Sequence, residues 1–281
     1  MANLSNLKSD IQDVKEILKI TGAMELVATA KLKKIGKKTV NISKYVEKVY
    51  EVFIEIISNA DRSPYLGSAE RHIDKTLWVI VGSNLGMCGS YNSGTHKKLS
   101  QNIKENDLIY AIGSKVVSYC NSNKYKIWDS YLNLDVDFTS DMSKPIANKL
   151  LEGYLNNDFQ SIKIIYQHFI NNMTTEPKIT NVFPIAKSKK ESQGGNMIYE
   201  FEPSADEILN STVSLYLNTL IYGAFIEGQL SEFSSRRNAM ESANKNGDEI
   251  NEKLSLEYNR KRQEKITQEI TEIVAGTNAQ G

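Results

Sequence analysis

The chain has 281 residues, 40% of them apolar and 24% charged, ordinary values for a soluble protein with room for one large domain or two. Lys+Arg and Asp+Glu both total 34, a balance that argues against a general nucleic-acid binder. Two cysteines, Cys88 and Cys120, and three scattered histidines, His72, His96 and His168, show no CxxC or HxxxH spacing, so neither a disulfide framework nor a metal site is expected. The longest apolar run, Leu77 to Val81, is far short of the roughly 20 residues of a membrane span, and no apolar leader opens the chain. Membrane association is therefore expected only through partner proteins.

The first segment, residues 1–60, reads as one helix from about Leu4 to Ile57. Its apolar residues recur at alternating spacings of three and four, from Leu4, Leu7, Ile11, Val14 and Leu18 through Ala28, Leu32 and Ile35 to Val49, Phe53 and Ile56. Only Thr21, Glu25 and Thr39 break the stripe. Such a register, held for about eight heptads, is a coiled-coil seam. The Lys-rich surface of this helix fits a solvated face as well as an acidic partner.

The middle segment, 70–203, changes character. Short runs rich in β-branched and aromatic residues at Leu77–Val81, Leu108–Ile112, Ile162–Phe169 and Ile179–Ile185 alternate with helical stretches. This predicts a small, mostly parallel, Rossmann-like α/β sheet with an edge hairpin. Asp141 is the expected N-cap of a helix with Pro145 in its first turn. Lys187–Asn196, with Gly194-Gly195, reads as an exposed loop.

The last segment, 204–281, opens with Ser204-Ala-Asp-Glu207, a capping-box pattern, and stays helix-friendly from Asp206 to about Ala275, where Gly276 offers a stop. Small residues around Ser234, Ser235, Ala239 and Ala243 permit close helix approach. Two long terminal helices flanking an α/β unit most simply pair antiparallel. The expected fold is thus α/β plus a long antiparallel coiled coil: a rod with the α/β domain at its foot.

Chemistry is sparse. The loop Gly82-Ser-Asn-Leu-Gly86-Met-Cys88-Gly89-Ser-Tyr-Asn92 follows a buried strand, where an α/β fold would hold a phosphate. Its glycine spacing is neither G-x-G-x-x-G nor a Walker loop, which favours a tight turn. Cys88 reads as a small buried thiol, because His96 is not placed as its base. Apolar and hydrogen-bonding residues mix around the helix from Tyr258 to Gly276, which suits a shaft touching changing partners and equally a solvated amphipathic end. No catalytic, cofactor or metal constellation stands out.

Four blocks carry a resemblance. Lys19-Ile-Thr-Gly22-Ala-Met24-Glu25-Leu-Val-Ala28, Gly86-Met-Cys88-Gly89 with Asn92, Ser231-Glu232 through Arg236 to Asn246-Gly247, and Ile266-Thr-Gln-Glu-Ile-Thr-Glu-Ile-Val274-Ala-Gly276 occur in the order found in gamma subunits of F-type rotary ATP synthases. The chain resembles that family along its whole length. The resemblance implies a non-catalytic rotor shaft standing inside a hexamer of nucleotide-binding alpha and beta subunits. The foot would join the epsilon subunit and the membrane c-ring, at the cytoplasmic face of a bacterial cell membrane.

By position, Met24 would lie near the catalytic subunits' lever segment, and Arg236, Arg262, Gln263, Thr267 and Glu269 would form a polar catch facing their loops. Gly86, Cys88 and Gly89 would belong to the foot loop. Gly22 stands where most members have Lys, and Asn84-Leu85 where they have Asp-Arg. The altered foot leaves a diverged motor driving other mechanical work, such as motility, as the alternative. A nucleotide-binding α/β enzyme with helical arms is the alternative of another class.

Overall fold

A computed structural model describes residues 4–66, 74–134, 137–185 and 200–278. The expected loop Lys187–Asn196 and His72 lie outside the described residues. The chain has long terminal helices, α1 (Leu4–Asn59) and α5 (Ala205–Asn278), with a sheet between them in sequence. It divides into two compact units, one of residues 1–28 and 237–281, the other of residues 29–236.

In the first unit, the α1 stripe behaves as its spacing requires. Leu7 and Ala28 are buried, and Ile11, Val14 and Leu18, in the same register, are half-buried. The two polar interruptions are used rather than tolerated. The Thr21 hydroxyl donates to Asn244 Oδ1, and Asn244 Nδ2 donates to Glu25 Oε2 at 2.6 Å. Polar pairs in a seam fix register where apolar contacts alone would allow slippage. Glycine at 247 lets the helices close here: a Cβ would stand 2.7 Å from Leu18 Cδ2. The residues in contact run in opposite directions along the sequence, 18 with 247 and 21 with 244, so this pair is antiparallel.

The second unit holds a five-stranded sheet of order β3-β2-β1-β4-β5. The strands are β1 (Thr76–Val81), β2 (Leu108–Ile112), β3 (Ile127–Tyr131), β4 (Ser161–Phe169) and β5 (Thr175–Phe183). The first four run parallel, and β5 returns antiparallel on β4 as the expected edge hairpin. From Leu77 to Val81 every residue of β1 is buried, as a central parallel strand covered on both faces demands. Trp78, Ile80, Ile109 and Ala111 pack with Leu99 of α2 (Tyr91–Ser100) and with Val116 and Cys120 of α3 (Ser114–Ser122). Along β4 the alternation is visible: Gln167 turns to α2, donating to the Tyr91 carbonyl at 2.9 Å, while Tyr166 and His168 face α1 and α5. Phe53 against Tyr216, with ring centroids 4.8 Å apart, and Val46 against Gly223 pair α1 with α5 in this unit, again antiparallel.

Several local expectations change. The strand β3 carries no apolar run and is half-exposed at the sheet edge, so its pattern gives no sign of it. The edge strand β5 starts at Thr175, four residues before Ile179, and admits Pro177 because an edge tolerates a missing donor. In α4 (Ser140–Leu155) the N-cap is Thr139, not Asp141. Asp141 sits inside the first turn and pairs with Lys144 at 2.7 Å, and Pro145 lies beyond that turn. Ser204 does cap α5, accepting from Glu207 N–H at 3.3 Å. Gly276 does not stop α5, which continues to Asn278, since glycine permits a left-handed stop without compelling one. Ser231 and Ser234 donate to the carbonyls of Gln167 and Asn172, so these small residues dock the β4–β5 hairpin.

Candidate functional site

The Gly82–Asn92 loop leaves the carboxyl end of β1, beside the switch in strand order where open α/β sheets bind ligands. A phosphate cradle there turns backbone N–H groups toward an anion. This loop has the reverse polarity. Its Leu85 and Gly86 carbonyls accept from Arg236 Nη2 at 3.0 and 3.4 Å. Arg236 Nη1 donates to Glu232 Oε1 at 2.7 Å, one helical turn back on α5, and both side chains are buried. The guanidinium also lies 5.3 Å from the Phe233 ring centre. Burial pushes the Glu232 carboxyl above its ordinary range, with Arg236 pulling the other way.

The adjoining helix starts are likewise answered within the chain. Asn84 Oδ1 accepts from Ser114 N–H at 2.9 Å at the head of α3, while Asn84 Nδ2 donates to the Leu132 carbonyl at 2.8 Å. The Cys88 carbonyl accepts from Tyr91 N–H at 3.2 Å at the head of α2. Asn92 ties the loop's two ends, receiving Ser83 N–H at 3.2 Å and donating to Ser83 Oγ at 2.8 Å and Cys88 Sγ at 3.2 Å. Cys88 is buried, and desolvation raises its thiol pKa despite nearby Arg236, so it is held as the neutral thiol and not as a nucleophile. His96 stacks on Tyr119 with centroids 3.9 Å apart, and burial lowers its pKa to about 4.

The residues singled out in the sequence therefore separate. Gly86, Cys88 and Arg236 meet in one network of the second unit, and Gly89 follows Cys88 in the same loop with φ +56. Arg236 is turned onto its own chain's loop and is not part of an exposed catch. Its signal was the i,i+4 spacing of Glu232 and Arg236; nothing in the sequence pointed to its loop carbonyls. In the first unit Arg262, Gln263, Thr267 and Glu269 are exposed on α5, and Met24 is half-buried on α1. Ile266, Ile270, Ile273 and Val274 are exposed among them. Apolar and hydrogen-bonding side chains thus share the exposed surface of this part of α5. Among the described residues no three His, Cys, Asp or Glu gather as metal ligands, and no helix is long and apolar enough to cross a membrane.

The sequence model of the ATP synthase family matches residues 3–280. The chain is 52% identical over 280 residues to the ATP synthase gamma chain of Mycoplasma mycoides subsp. mycoides, with 100% of each covered. It is 51% identical over 279 residues to the gamma chain of Mesoplasma florum, with 99% of each covered. Among solved structures it is similar to a chain of the Euglena gracilis mitochondrial ATP synthase OSCP/F1/c-ring assembly, with a TM-score of 0.70, 18% identity, and 98% and 94% of the two chains covered. It is also similar to a chain of the Tetrahymena thermophila mitochondrial ATP synthase central stalk/c-ring, with a TM-score of 0.57, 22% identity, and 80% and 99% covered. These two likenesses speak for the fold, and the identities over whole chains speak for descent: the chain belongs to the ATP synthase gamma-chain family.

Proposed function

We propose that this protein is the non-catalytic central shaft of an F-type ATP synthase, bound peripherally to the membrane through its partners. The observation that carries this reading is the end-to-end match to gamma chains at about half identity, joined to an exposed mixed apolar and polar face on α5. Its partners in this reading are the alpha and beta subunits of the catalytic hexamer, the epsilon subunit and the membrane c-ring. Arg262, Gln263, Thr267 and Glu269, with Met24 on α1, are the groups that contact the hexamer. The Gly86–Gly89 loop faces the partners at the foot.

The work such a shaft does is a difference of contacts. A hexamer has three equivalent catalytic positions, and an asymmetric shaft touches each one differently. Each orientation then favours a different conformation in each catalytic subunit, and turning the shaft moves those preferences around the ring. A ligand or partner shifts an equilibrium only by its differential affinity for the two states. Exposed hydrogen-bonding side chains on a rigid helix supply such differences without chemistry of their own.

The test is a native pull-down of the tagged full chain from its host membrane, with every copurifying subunit identified by mass. Recovery of the hexamer with epsilon and a membrane ring supports the reading. A hexamer with other partners and no ring overturns the ATP-synthase assignment, and no hexamer overturns the shaft itself.

A further inference from the structure

The guanidinium of Arg236 reaches from α5 to a loop 151 residues earlier in sequence and accounts for two of its carbonyls. The loop then surfaces abruptly. Leu85 and Met87 are 65% and 64% exposed, whereas Cys88, the next residue, is 3% exposed. Met87 has φ +56, left-handed backbone that a side-chain-bearing residue rarely adopts without support, and Gly89 repeats it at φ +56. A buried ion pair adds little to stability over an apolar pair of similar size. The Glu232–Arg236 pair is therefore better explained by what the arginine holds than by its own attraction.

We propose that Arg236 is the positioning residue of this loop: from α5 it clamps the Leu85 and Gly86 carbonyls, so that Leu85 and Met87 project as an apolar prong and Cys88 stays covered. Glu232 orients the guanidinium by taking Nη1, which leaves Nη2 for the loop. The planar fork is required, because a lysine ammonium in its place cannot span Glu232 and the carbonyls with the same geometry. Displacement of α5 at this point reaches the prong directly. That functional consequence rests on the central-shaft reading, whereas the clamp itself is a property of the isolated chain.

The cysteines give the test an internal control. The full-length chain, without partners, is treated with dithiobis(nitrobenzoate), which forms one mixed disulfide and releases one coloured thiolate per cysteine, and the modified peptides are assigned by mass. Arg236→Lys is expected to speed modification of Cys88 by about tenfold or more, the scale of local opening when charge-assisted bonds are lost. Cys120, wholly buried in α3, is expected to keep its rate. Equal acceleration of both cysteines, meaning general loosening, overturns the proposal, and so does no acceleration of either. Should Arg236→Lys fail to fold, the double variant Glu232→Gln/Arg236→Met removes the clamp without leaving a lone buried charge and must show the same selectivity. Because no partner is present, failure here leaves the pull-down result untouched, and the reverse.

Discussion

Leu18 Cδ2 lies 2.7 Å from the point where the Cβ of any residue other than glycine at 247 would stand, too close for both to stay in place. The contact is made by a flexible side-chain end, so alanine at 247 is accommodated by a shift of Leu18, while a β-branched residue is not. Gly247→Val is expected to destabilise the chain by about 1–3 kcal/mol through overpacking. Adding Leu18→Ala should recover part of that loss. Gly22 is the contrast, with nothing within 4 Å of its absent Cβ. Gly22→Ala should stabilise by about 1 kcal/mol through helix propensity alone. Denaturant melts of the three variants check both signs.

Asn84 uses its amide in both senses, accepting from Ser114 N–H and donating to the Leu132 carbonyl. Asn84→Asp keeps the cap and loses the donor, setting a carboxylate against a carbonyl. Asn84→Ala loses both bonds. Chemical denaturation is expected to rank Asn84 above Asp and Asp above Ala, with Ala about 1–2 kcal/mol below the parent. An aspartate equal to asparagine would show that the Leu132 bond contributes nothing.

His96 gives a pH dependence whose sign follows from its lowered pKa. The folded chain holds the imidazole neutral down to about 4, while the unfolded chain protonates it near its ordinary value of 6.5. The stabilising contribution is present above 6.5 and is lost as pH falls from there toward 4. The ring is partly open to solvent, which reduces the effect to about 1 kcal/mol. His96→Phe, which keeps the stack on Tyr119, should flatten this part of the stability profile measured by urea titration at successive pH values.

Arg262, Gln263, Thr267 and Glu269 are exposed, and α5 does not need their side chains. Alanine at each position is expected to leave the melting of the isolated chain within about 0.5 kcal/mol of the parent. In the reconstituted complex, coupled turnover should fall with these changes and with deletion of Ile266–Gly281. Some rotation should survive the deletion, since the remaining helices still act as a lever. Unchanged turnover after the deletion would count against the contact assignment.

The long elements were legible because periodicity accumulates. A seam from Leu4 to Ile56 cannot be mistaken, and a fully buried strand such as Leu77–Val81 announces itself by apolar content. Trp128 and Tyr131 in β3 gave no such signal, because an edge strand needs no continuous run. The cap at Ser204 was readable because side chain and helix start are neighbours, though the same local reasoning chose Asp141 over Thr139 for α4. The cap at Asn84 was unreadable because its amide comes from another loop. The same limit hid Arg236. Its i,i+4 partner lay in plain view, but its carbonyl partners are brought to it only by the fold. Thr21 and Glu25 looked like flaws in a stripe until Asn244 of the opposite helix made them a clasp.

The reversed polarity of the Cys88 loop has a consequence for the central-shaft reading. An α/β sheet of this order ordinarily offers its strand ends to nucleotides. Here a cation from the same chain engages two of the loop's carbonyls. The two carbonyls are thereby turned to a cation, where an anion-binding turn would present donors. In the central-shaft reading, such a sheet is a transmission element whose loop is set by its own long helix, so that a push on that helix and the posture of the loop are one event.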